Sequence, residues 1–295
     1  MATIFVLVDG FGLAPAGPDN PVAGHMPLLE RLLGMPLTEH LHVSEPRCYA
    51  APIDATLDVP GLPQSGTGHT SIYGGFNAAT FNGRHQPSYP TQAMRARLTE
   101  RNILGIVQEH GRSVIWANAY LPGYGDAIVQ RRLRHTAGTW AALQVGLRLR
   151  GHDDLLAGDA LSWDLTQAIA RERPDCADLP LITPAEAGTR LVHIAADVDL
   201  VAFETYLPDL AGHHRLAWTV SQVVAMIDAF LHAAVVALRP TDTLVVVSDH
   251  GNAEDTTTRV HTRNPVPLLV WGARTSAFTQ VTSIDGIMDA ILSSI

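Results

Sequence analysis

The sequence predicts an α/β domain with a doubly wound, mostly parallel sheet sandwiched by helices. Short, continuous apolar runs alternate along the chain with helix-length periodic segments. This alternation is typical of strands that are buried on both faces and joined by crossover helices. Several of the apolar runs also end in polar residues. Ligands of open α/β sheets bind at the carboxyl ends of strands, so these residues are where we look for a functional site.

Five apolar runs have the length and composition of buried strands. They cover residues 4–8, 113–117, 198–206, 244–247 and 266–271. Five segments show helical periodicity and connect these runs. They cover residues 26–33, 91–108, 136–147, 217–238 and 284–292. With 295 residues, 46% of them hydrophobic, the chain is long enough to bury a large core.

The middle of the chain differs in amino-acid composition from its two ends. Residues 77–190 are richer in arginine, glycine and turn signals, whereas residues 1–76 and 191–295 carry most of the apolar runs. We therefore predict that 1–76 and 191–295 form a metal-binding α/β core. Residues 77–190 form either a small cap or insertion, or additional layers of the same core, and the sequence leaves both alternatives open.

Composition excludes several classes of function. The formal net charge is −9, which disfavours a nucleic-acid-binding surface because such surfaces need clustered positive charge. The first apolar run is too short for a signal peptide or a membrane span. The long apolar helix at 217–238 contains Asp228 and His232, as a core helix does, so no membrane partner is predicted. Cys48 and Cys176 are far apart and predict reduced thiols in a cytoplasmic protein.

Aspartate and histidine residues cluster after the predicted strands. Asp9-Gly10-Phe11-Gly12 follows the first run, and Ser248-Asp249-His250-Gly251 follows the fourth. A buried strand rarely ends in such groups for stability alone, because their desolvation costs several kcal/mol. The third run is followed by Asp209 and His213, which would share one face of a helical turn, and His261 precedes the last run. Taken singly, Asp9 fits a turn residue, the Asp-x-x-x-His spacing fits chance, and His261 fits an ordinary loop.

Ser65 lies in a small-residue loop that leads into a predicted helix, Gly61-Leu62-Pro63-Gln64-Ser65-Gly66-Thr67-Gly68-His69. A serine there is near free backbone N–H groups and the positive end of the helix dipole, which suits a phosphate group. The plainer alternative is an N-cap serine. Together, three aspartates, three histidines and Ser65 fit two divalent metal ions, and mixed imidazole and carboxylate ligation favours Zn²⁺ or Mn²⁺.

Five motifs resemble those of the alkaline phosphatase superfamily, within it the branch of cofactor-independent phosphoglycerate mutases and phosphopentomutases. They are VLVDGFG at 6–12, GLPQSGTGHTSIYGG at 61–75, PDLAGH at 208–213, SDHGNAED at 248–255 and HTRNPVP at 261–267. The resemblance implies an alkaline phosphatase-like core and a nucleophile at Ser65. It further implies the metal ligands of two sites, which are Asp209, His213 and His261 in one and Asp9, Ser65, Asp249 and His250 in the other.

The resemblance implies a metal-dependent phosphatase or phosphomutase acting on a small phosphorylated metabolite. Our first prediction is a hydrolase with a phosphoserine intermediate on Ser65, because the segment between the nucleophile and the next metal motif is shorter than in the mutases. The alternatives are a cofactor-independent phosphomutase and a non-catalytic relative that binds metal or a phosphorylated ligand. The side chains predicted to contact substrate are Arg84, His85, Arg131, Arg134 and Asn118.

Overall fold

Seven strands form one mixed sheet in the computed structural model, which describes all 295 residues. The strands are β1 (Thr3–Val8), β2 (Val43–Glu45), β3 (Cys48–Ile53), β4 (Val114–Trp116), β5 (Leu200–Thr205), β6 (Thr243–Val247) and β7 (Val266–Gly272). The helices are α1 (Pro27–Leu33), α2 (Ser65–Gly74), α3 (Ala78–Asn82), α4 (Gln92–Glu100), α5 (Ile103–Glu109), α6 (Tyr124–Val129), α7 (Ala137–Gln144), α8 (His152–Ala157), α9 (Ala168–Arg171), α10 (Pro184–Ile194), α11 (Leu207–Gly212), α12 (Val220–Ala237) and α13 (Ile287–Ser294).

The strand order is β2-β3-β7-β6-β1-β5-β4. Strands β6, β1, β5 and β4 run parallel to one another. Strand β7 pairs antiparallel with β6 and β3, and β3 pairs antiparallel with β2. Both β1 and β6 are fully buried, which explains why they read as continuous apolar runs. The predicted α/β class with helices on both faces is confirmed. The ends of β1, β5 and β6 lie side by side along one edge of the sheet.

Two large apolar clusters fill the spaces between this sheet and its helices. Ile4, Val6 and Val8 of β1 point into one cluster, and Phe5 and Leu7 point into the other. This alternation follows from the two-residue side-chain period of a strand. Because both faces of β1 are covered, only its carboxyl end is free to present a functional group.

The antiparallel direction of β7 determines where the last predicted metal ligand lies. Leu268, near the start of β7, pairs with Val247 at the end of β6. The segment that precedes β7 therefore arrives at the edge where β1 and β6 end. Had β7 been parallel, His261 would have reached the opposite edge of the sheet.

The structure contains helices that the sequence did not predict, among them α10, and it departs from the prediction in two further respects. The helix predicted over 91–108 is interrupted, because Arg101 is extended and the Asn102 side chain caps α5 by accepting a hydrogen bond from Gly105 N–H. The antiparallel pair β2 and β3 was not predicted, since β3 contains two alanines and a proline rather than a β-branched run. Neither difference moves the strand ends that carry the candidate ligands.

Helix α12 is apolar and long enough to span a membrane by length and composition alone. In the fold it packs against α10 and α1. Its buried Asp228 accepts hydrogen bonds from the backbone N–H groups of Leu28 and Leu29, and so satisfies free donors at the start of α1. These contacts are those of a core helix, as the sequence predicted.

Residues 77–190 contribute to the main sheet and its covering layers. The segment supplies the edge strand β4, the helices α4, α5 and α7 beside α2, and α10 against α12. A third, small apolar cluster around Leu155 and Cys176 belongs to this segment alone. The contacts favour additional core layers over a separate cap for most of the segment, and the domain division stays a prediction. Cys48 and Cys176 are free thiols.

Candidate metal centre

Asp9 comes directly after β1 and is brought against Asp209 by a tight turn. Gly10 has a φ of 76°, in the left-handed region, and a Cβ at Gly10 would lie 2.6 Å from the Asp209 Cα. Only glycine combines this conformation with so close an approach. The turn after β1 therefore places two of the predicted aspartates beside each other.

Asp209, His213 and His261 form the first cluster. Asp209 and His213 are one turn apart on and just after α11, and Asp209 Oδ1 lies 3.3 Å from His213 Nε2 and 3.2 Å from His261 Nε2. The two Nε2 atoms are 3.0 Å apart. Two nitrogens and a carboxylate oxygen thus converge on one point.

The other ring nitrogens of this cluster determine its chemistry. His213 Nδ1 lies 2.7 Å from the Arg259 carbonyl oxygen, and His261 Nδ1 lies 2.7 Å from the Pro63 carbonyl oxygen. A carbonyl oxygen only accepts, so each Nδ1 carries the proton, and the lone pair of each neutral ring is on Nε2. Backbone carbonyls orient metal-binding histidines in this way. The donor set fits a divalent cation.

Asp9, Asp249, His250 and Ser65 form the second cluster, which is more deeply buried. His250 Nε2 lies 3.3 Å from Asp9 Oδ1, 3.2 Å from Asp249 Oδ2 and 3.0 Å from Ser65 Oγ. Asp9 Oδ1 and Asp249 Oδ2 are buried and have no hydrogen-bond partner. Unpartnered buried carboxylate oxygens are costly, and a metal ion would satisfy them. The His250 ring stacks on His261 with centroids 3.7 Å apart, so the two clusters share a wall.

Burial and mutual repulsion perturb the ionisation of these groups. Burial, followed by the charges of Asp249 and Asp209, raises the pKa of Asp9 well above its usual value. Burial lowers the pKa of His250 to about 4, which keeps the ring neutral and able to bind a metal. Burial raises the pKa of Asp209, but the adjacent His213, His261 and His250 rings hold it below its usual range. The centre therefore favours additional positive charge.

Ser65 is the first residue of α2, and its hydroxyl is half-buried beside the second cluster. The N-cap residue Gln64 makes no side-chain hydrogen bond to the helix, and the Thr67 N–H already donates to the Gln64 and Gln86 carbonyl oxygens. The N–H groups of Ser65 and Gly66 are therefore the ones left for an anion. Gly68 allows the helix to approach this closely, since a Cβ there would lie 2.8 Å from the Asp249 Cβ.

Two buried ionisable residues were missed as site residues by the sequence analysis. His69 Nε2 lies 3.2 Å from Asp9 Oδ2 and 3.3 Å from Asp249 Oδ2, and its Nδ1 lies 3.4 Å from Glu204 Oε1. Burial alone would lower the pKa of His69, but the Asp249 and Glu204 carboxylates raise it well above its usual value. His69 thus links Glu204, on β5, to both aspartates of the second cluster. A glutamate inside the apolar run at 198–206 was the available signal.

Asn252 and Glu254 hold the surrounding loops together, and neither was predicted. Asn252 Nδ2 donates to Asp209 Oδ1 at 2.9 Å. Glu254 accepts from the Gly12 and Asn252 backbone N–H groups and from the Thr262 hydroxyl. It therefore ties the loops after β1 and β6 to the segment that carries His261. Their position inside the motif at 248–255 was the only sequence signal.

Comparisons with known proteins agree with this architecture. A family model described as the Metalloenzyme superfamily matches residues 186–294, the part of the chain that carries Asp209, His213, Asp249, His250 and His261. A phosphopentomutase of Chromohalobacter salexigens is 36% identical over 88 residues, which cover 30% of this chain and 19% of the relative. The match therefore spans about a fifth of that relative's length.

Solved structures with the same fold include two alkaline phosphatases. That of a Shewanella species aligns with a TM-score of 0.54 and 12% identity, covering 99% of each chain. That of the Antarctic bacterium TAB5 aligns with a TM-score of 0.51 and 11% identity, covering 99% of this chain and 97% of the other. The PH0037 protein of Pyrococcus horikoshii aligns with a TM-score of 0.52 and 14% identity, covering 93% and 86%. The fold of this chain is alkaline phosphatase-like.

The structure separates the five side chains predicted to contact substrate. Asn118 and Arg134 line a large cavity beside the metal centre, although the Asn118 amide also pairs with the Glu204 backbone. Arg131 lines a smaller neighbouring pocket. Arg84 is exposed, and His85 is buried between Val59 and Thr67. The seven predicted ligands, by contrast, all meet in two clusters, and their role in binding metal stays a prediction.

Proposed function

We propose that the protein transfers the phosphoryl group of a phosphate monoester to Ser65 and then to water, acting as a metal-dependent phosphatase. The observation that carries this proposal is the position of Ser65 Oγ. It lies 3.0 Å from His250 Nε2, at the start of α2, beside the unpartnered oxygens of Asp9 and Asp249. A nucleophile, a helix N-terminus and an acidic metal-binding pocket thus meet at one point.

Two ligand sets would hold the metal ions. Asp209, His213 and His261 would hold one, and the set Asp9, Ser65, Asp249 and His250 would hold the other. When bound, two divalent ions supply positive charge that lowers the pKa of the serine hydroxyl and stabilises charge on the transferring phosphoryl group. Mixed nitrogen and oxygen donors support Zn²⁺ or Mn²⁺.

The chain's own residues bind and orient the ester. The N–H groups at the start of α2 face the phosphoryl oxygens, and Ser65 Oγ loses its proton to solvent and attacks phosphorus. The phosphorus–oxygen bond to the leaving group breaks, and the leaving oxygen takes a proton from water. A water molecule then attacks the phosphoserine, which releases inorganic phosphate and restores the hydroxyl. The net reaction consumes one ester and one water.

A phosphomutase is the second candidate, and the similarity to a phosphopentomutase favours it. In that reaction a second hydroxyl of the same substrate, rather than water, would take the phosphoryl group from Ser65. The third alternative, a non-catalytic binder, would show full metal occupancy without turnover. A cytoplasmic location and a small phosphorylated metabolite as substrate complete the proposal, and the free thiols Cys48 and Cys176 support the location.

The test is hydrolysis of p-nitrophenyl phosphate by protein loaded with Mn²⁺ or Zn²⁺. We expect Ser65→Ala or chelation to reduce kcat by at least about a thousandfold. Ser44→Ala, on the exposed edge strand β2, is the matched control and should retain full activity. Turnover that survives in Ser65→Ala would disprove the role of Ser65. Retained phosphoserine without phosphate release would support the mutase.

A further inference from the structure

A cavity of about 850 Å³ adjoins the metal centre. This volume suits a ligand of small-molecule size. Residues that line the cavity lie next to a predicted metal ligand of each cluster. Leu210 lines the cavity and follows Asp209 directly in the chain. Tyr89 also lines it, and a Cβ added to Gly66, the residue after Ser65, would lie 2.9 Å from the Tyr89 carbonyl oxygen. An ester held at Ser65 would therefore extend its leaving group into this cavity.

Aromatic rings form much of the cavity wall. Tyr120 and Tyr124 pack with ring centroids 4.5 Å apart, and Trp163 and Tyr206 with centroids 6.1 Å apart. Both pairs line the cavity, as does Tyr89. Such walls bind flat, apolar groups through ring faces and edges.

Three of the four tyrosine hydroxyls of the cavity are already occupied within the protein. Tyr120 Oη is 2.7 Å from Thr139 Oγ1, Tyr124 Oη is 2.9 Å from His135 Nδ1, and Tyr206 Oη donates to Glu204. Burial raises the pKa of Tyr124 to about 12 and that of Tyr120 further, so these phenols stay neutral. Tyr120, Tyr124 and Tyr206 therefore offer ring surface to a ligand, with little hydrogen-bonding capacity left.

The charged residues of the cavity are all arginines. Arg132, Arg134 and Arg173 line it, and no aspartate, glutamate or histidine does. Arg173 is paired with Asp175 at 2.7 Å. Arg132 and Arg134 are exposed and have no carboxylate partner, so their guanidinium groups are free to bind an anion. The cavity is thus aromatic along its walls and positive at its rim.

We propose that the metal centre acts on phosphate esters whose leaving group carries an aromatic ring and a second anionic group. The ring would lie between the tyrosine pair and Trp163, and the anion would bind Arg132 and Arg134. This inference rests on the proposed function, because it assigns the leaving-group side of the same site.

The test measures binding of phosphonates, whose carbon–phosphorus bond is not transferred, so leaving-group reactivity plays no part. Calorimetry on the Mn²⁺-loaded protein compares phenylphosphonate, 4-carboxyphenylphosphonate, propylphosphonate and 4-phosphonobutanoate. We expect the ring to tighten binding about tenfold and the carboxylate to tighten it about tenfold again. Equal affinities for the ring-bearing and alkyl ligands would overturn the proposal.

Substitutions in the cavity test which residues produce the preference for the ring and which produce the preference for the carboxylate. Tyr124→Leu should lose most of the ring preference, whereas Tyr124→Phe, which keeps the ring, should retain it. The double variant Arg132→Ala with Arg134→Ala should lose the carboxylate preference alone. Arg31→Ala, exposed on α1, is the control and should change neither. A carboxylate preference that persists in the double variant would also overturn the proposal.

Phosphonate binding and p-nitrophenyl phosphate hydrolysis test the two proposals separately. Hydrolysis of p-nitrophenyl phosphate without any ring or carboxylate preference would leave the phosphatase proposal standing and overturn the leaving-group inference. The expected phosphonate pattern in a protein that does not hydrolyse p-nitrophenyl phosphate would contradict the phosphatase and retain the cavity as the binding site of an aromatic anion.

Discussion

At the scale of single residues, the orientation of the histidine rings decides the chemistry of the first cluster. His213 and His261 both use Nδ1 for a backbone carbonyl, at 2.7 Å each. Their Nε2 lone pairs consequently face each other and Asp209 Oδ1, an arrangement that repels unless a cation lies between them. The positions of these three side chains therefore favour the binding of a metal ion.

Replacing Asp209 by asparagine tests this arrangement. Asp209→Asn keeps the side-chain shape but removes the negative charge, so we expect bound Mn²⁺ to fall from about two to about one per chain at limiting free metal. Elemental analysis after gel filtration measures the ratio. Asp197→Asn, at an exposed position, should leave it unchanged. An unaltered ratio in Asp209→Asn would show that this cluster does not hold a metal.

At the scale of elements, helix α2 carries the nucleophile only because small residues face the strand ends. Gly66 lies against the carbonyl oxygens of Gln86 and Tyr89, and Gly68 lies against Asp249. Nine of the ten residues of α2, from Gly66 to Gly74, are buried. The start of α2 is therefore held rigidly between the strand-end loops and the 86–89 segment, which is what a positioned nucleophile requires.

Gly68→Ala should displace this helix start. The added Cβ would lie 2.8 Å from the Asp249 Cβ and 2.9 Å from its carbonyl oxygen, and such overpacking costs about 1–3 kcal/mol of unfolding free energy. Urea denaturation of chelator-treated protein measures the loss without any contribution from metal. Gly125→Ala in α6, where no atom lies within 4 Å, is the matched control and should be neutral or slightly stabilising. Equal stability of the two variants would contradict the predicted clash.

At the scale of the whole molecule, the metal centre joins segments that are distant in sequence. Residues at 9, 65, 69, 204, 209, 249 and 261 meet at one edge of the sheet. Any ligand that binds only this assembled site stabilises the folded state against unfolding. Metal occupancy should therefore be coupled to global stability, as well as to activity.

Chelation should lower the thermal midpoint. At a free Mn²⁺ concentration of about 100 times its Kd, one site contributes about 2.7 kcal/mol, which corresponds to a decrease in Tm of roughly 5–10 °C on chelation. Differential scanning calorimetry measures the shift, and added Mn²⁺ should reverse it. The shift should be smaller in Asp209→Asn, which lacks one site. A Tm that does not respond to chelator would argue against ligation by the buried clusters.

The sequence by itself determined the fold class and the identity of the strand-end residues. Asp9, Asp209 and Asp249 could be recognised because each of them follows an apolar run. A strand that is buried on both faces must be continuously apolar, which favours charged groups beyond its end. Ser65 could be recognised from its small neighbours and its position at the start of a helix. These signals are local in the chain, so no knowledge of tertiary contacts was needed.

Only the tertiary structure decided how those residues combine. The antiparallel direction of β7 brings His261 to the edge of the sheet where β1 and β6 end. This direction depends on strand pairing, which the periodicity of apolar residues in the sequence does not determine. Glu204 and His69 became site residues because the His69 side chain on α2 reaches Glu204 on β5, and Asn252 and Glu254 because three loops meet around them. The aromatic, arginine-rimmed cavity is formed from segments as distant as Tyr89 and Leu210. Non-local packing, rather than any motif, thus shapes the space that a substrate would occupy.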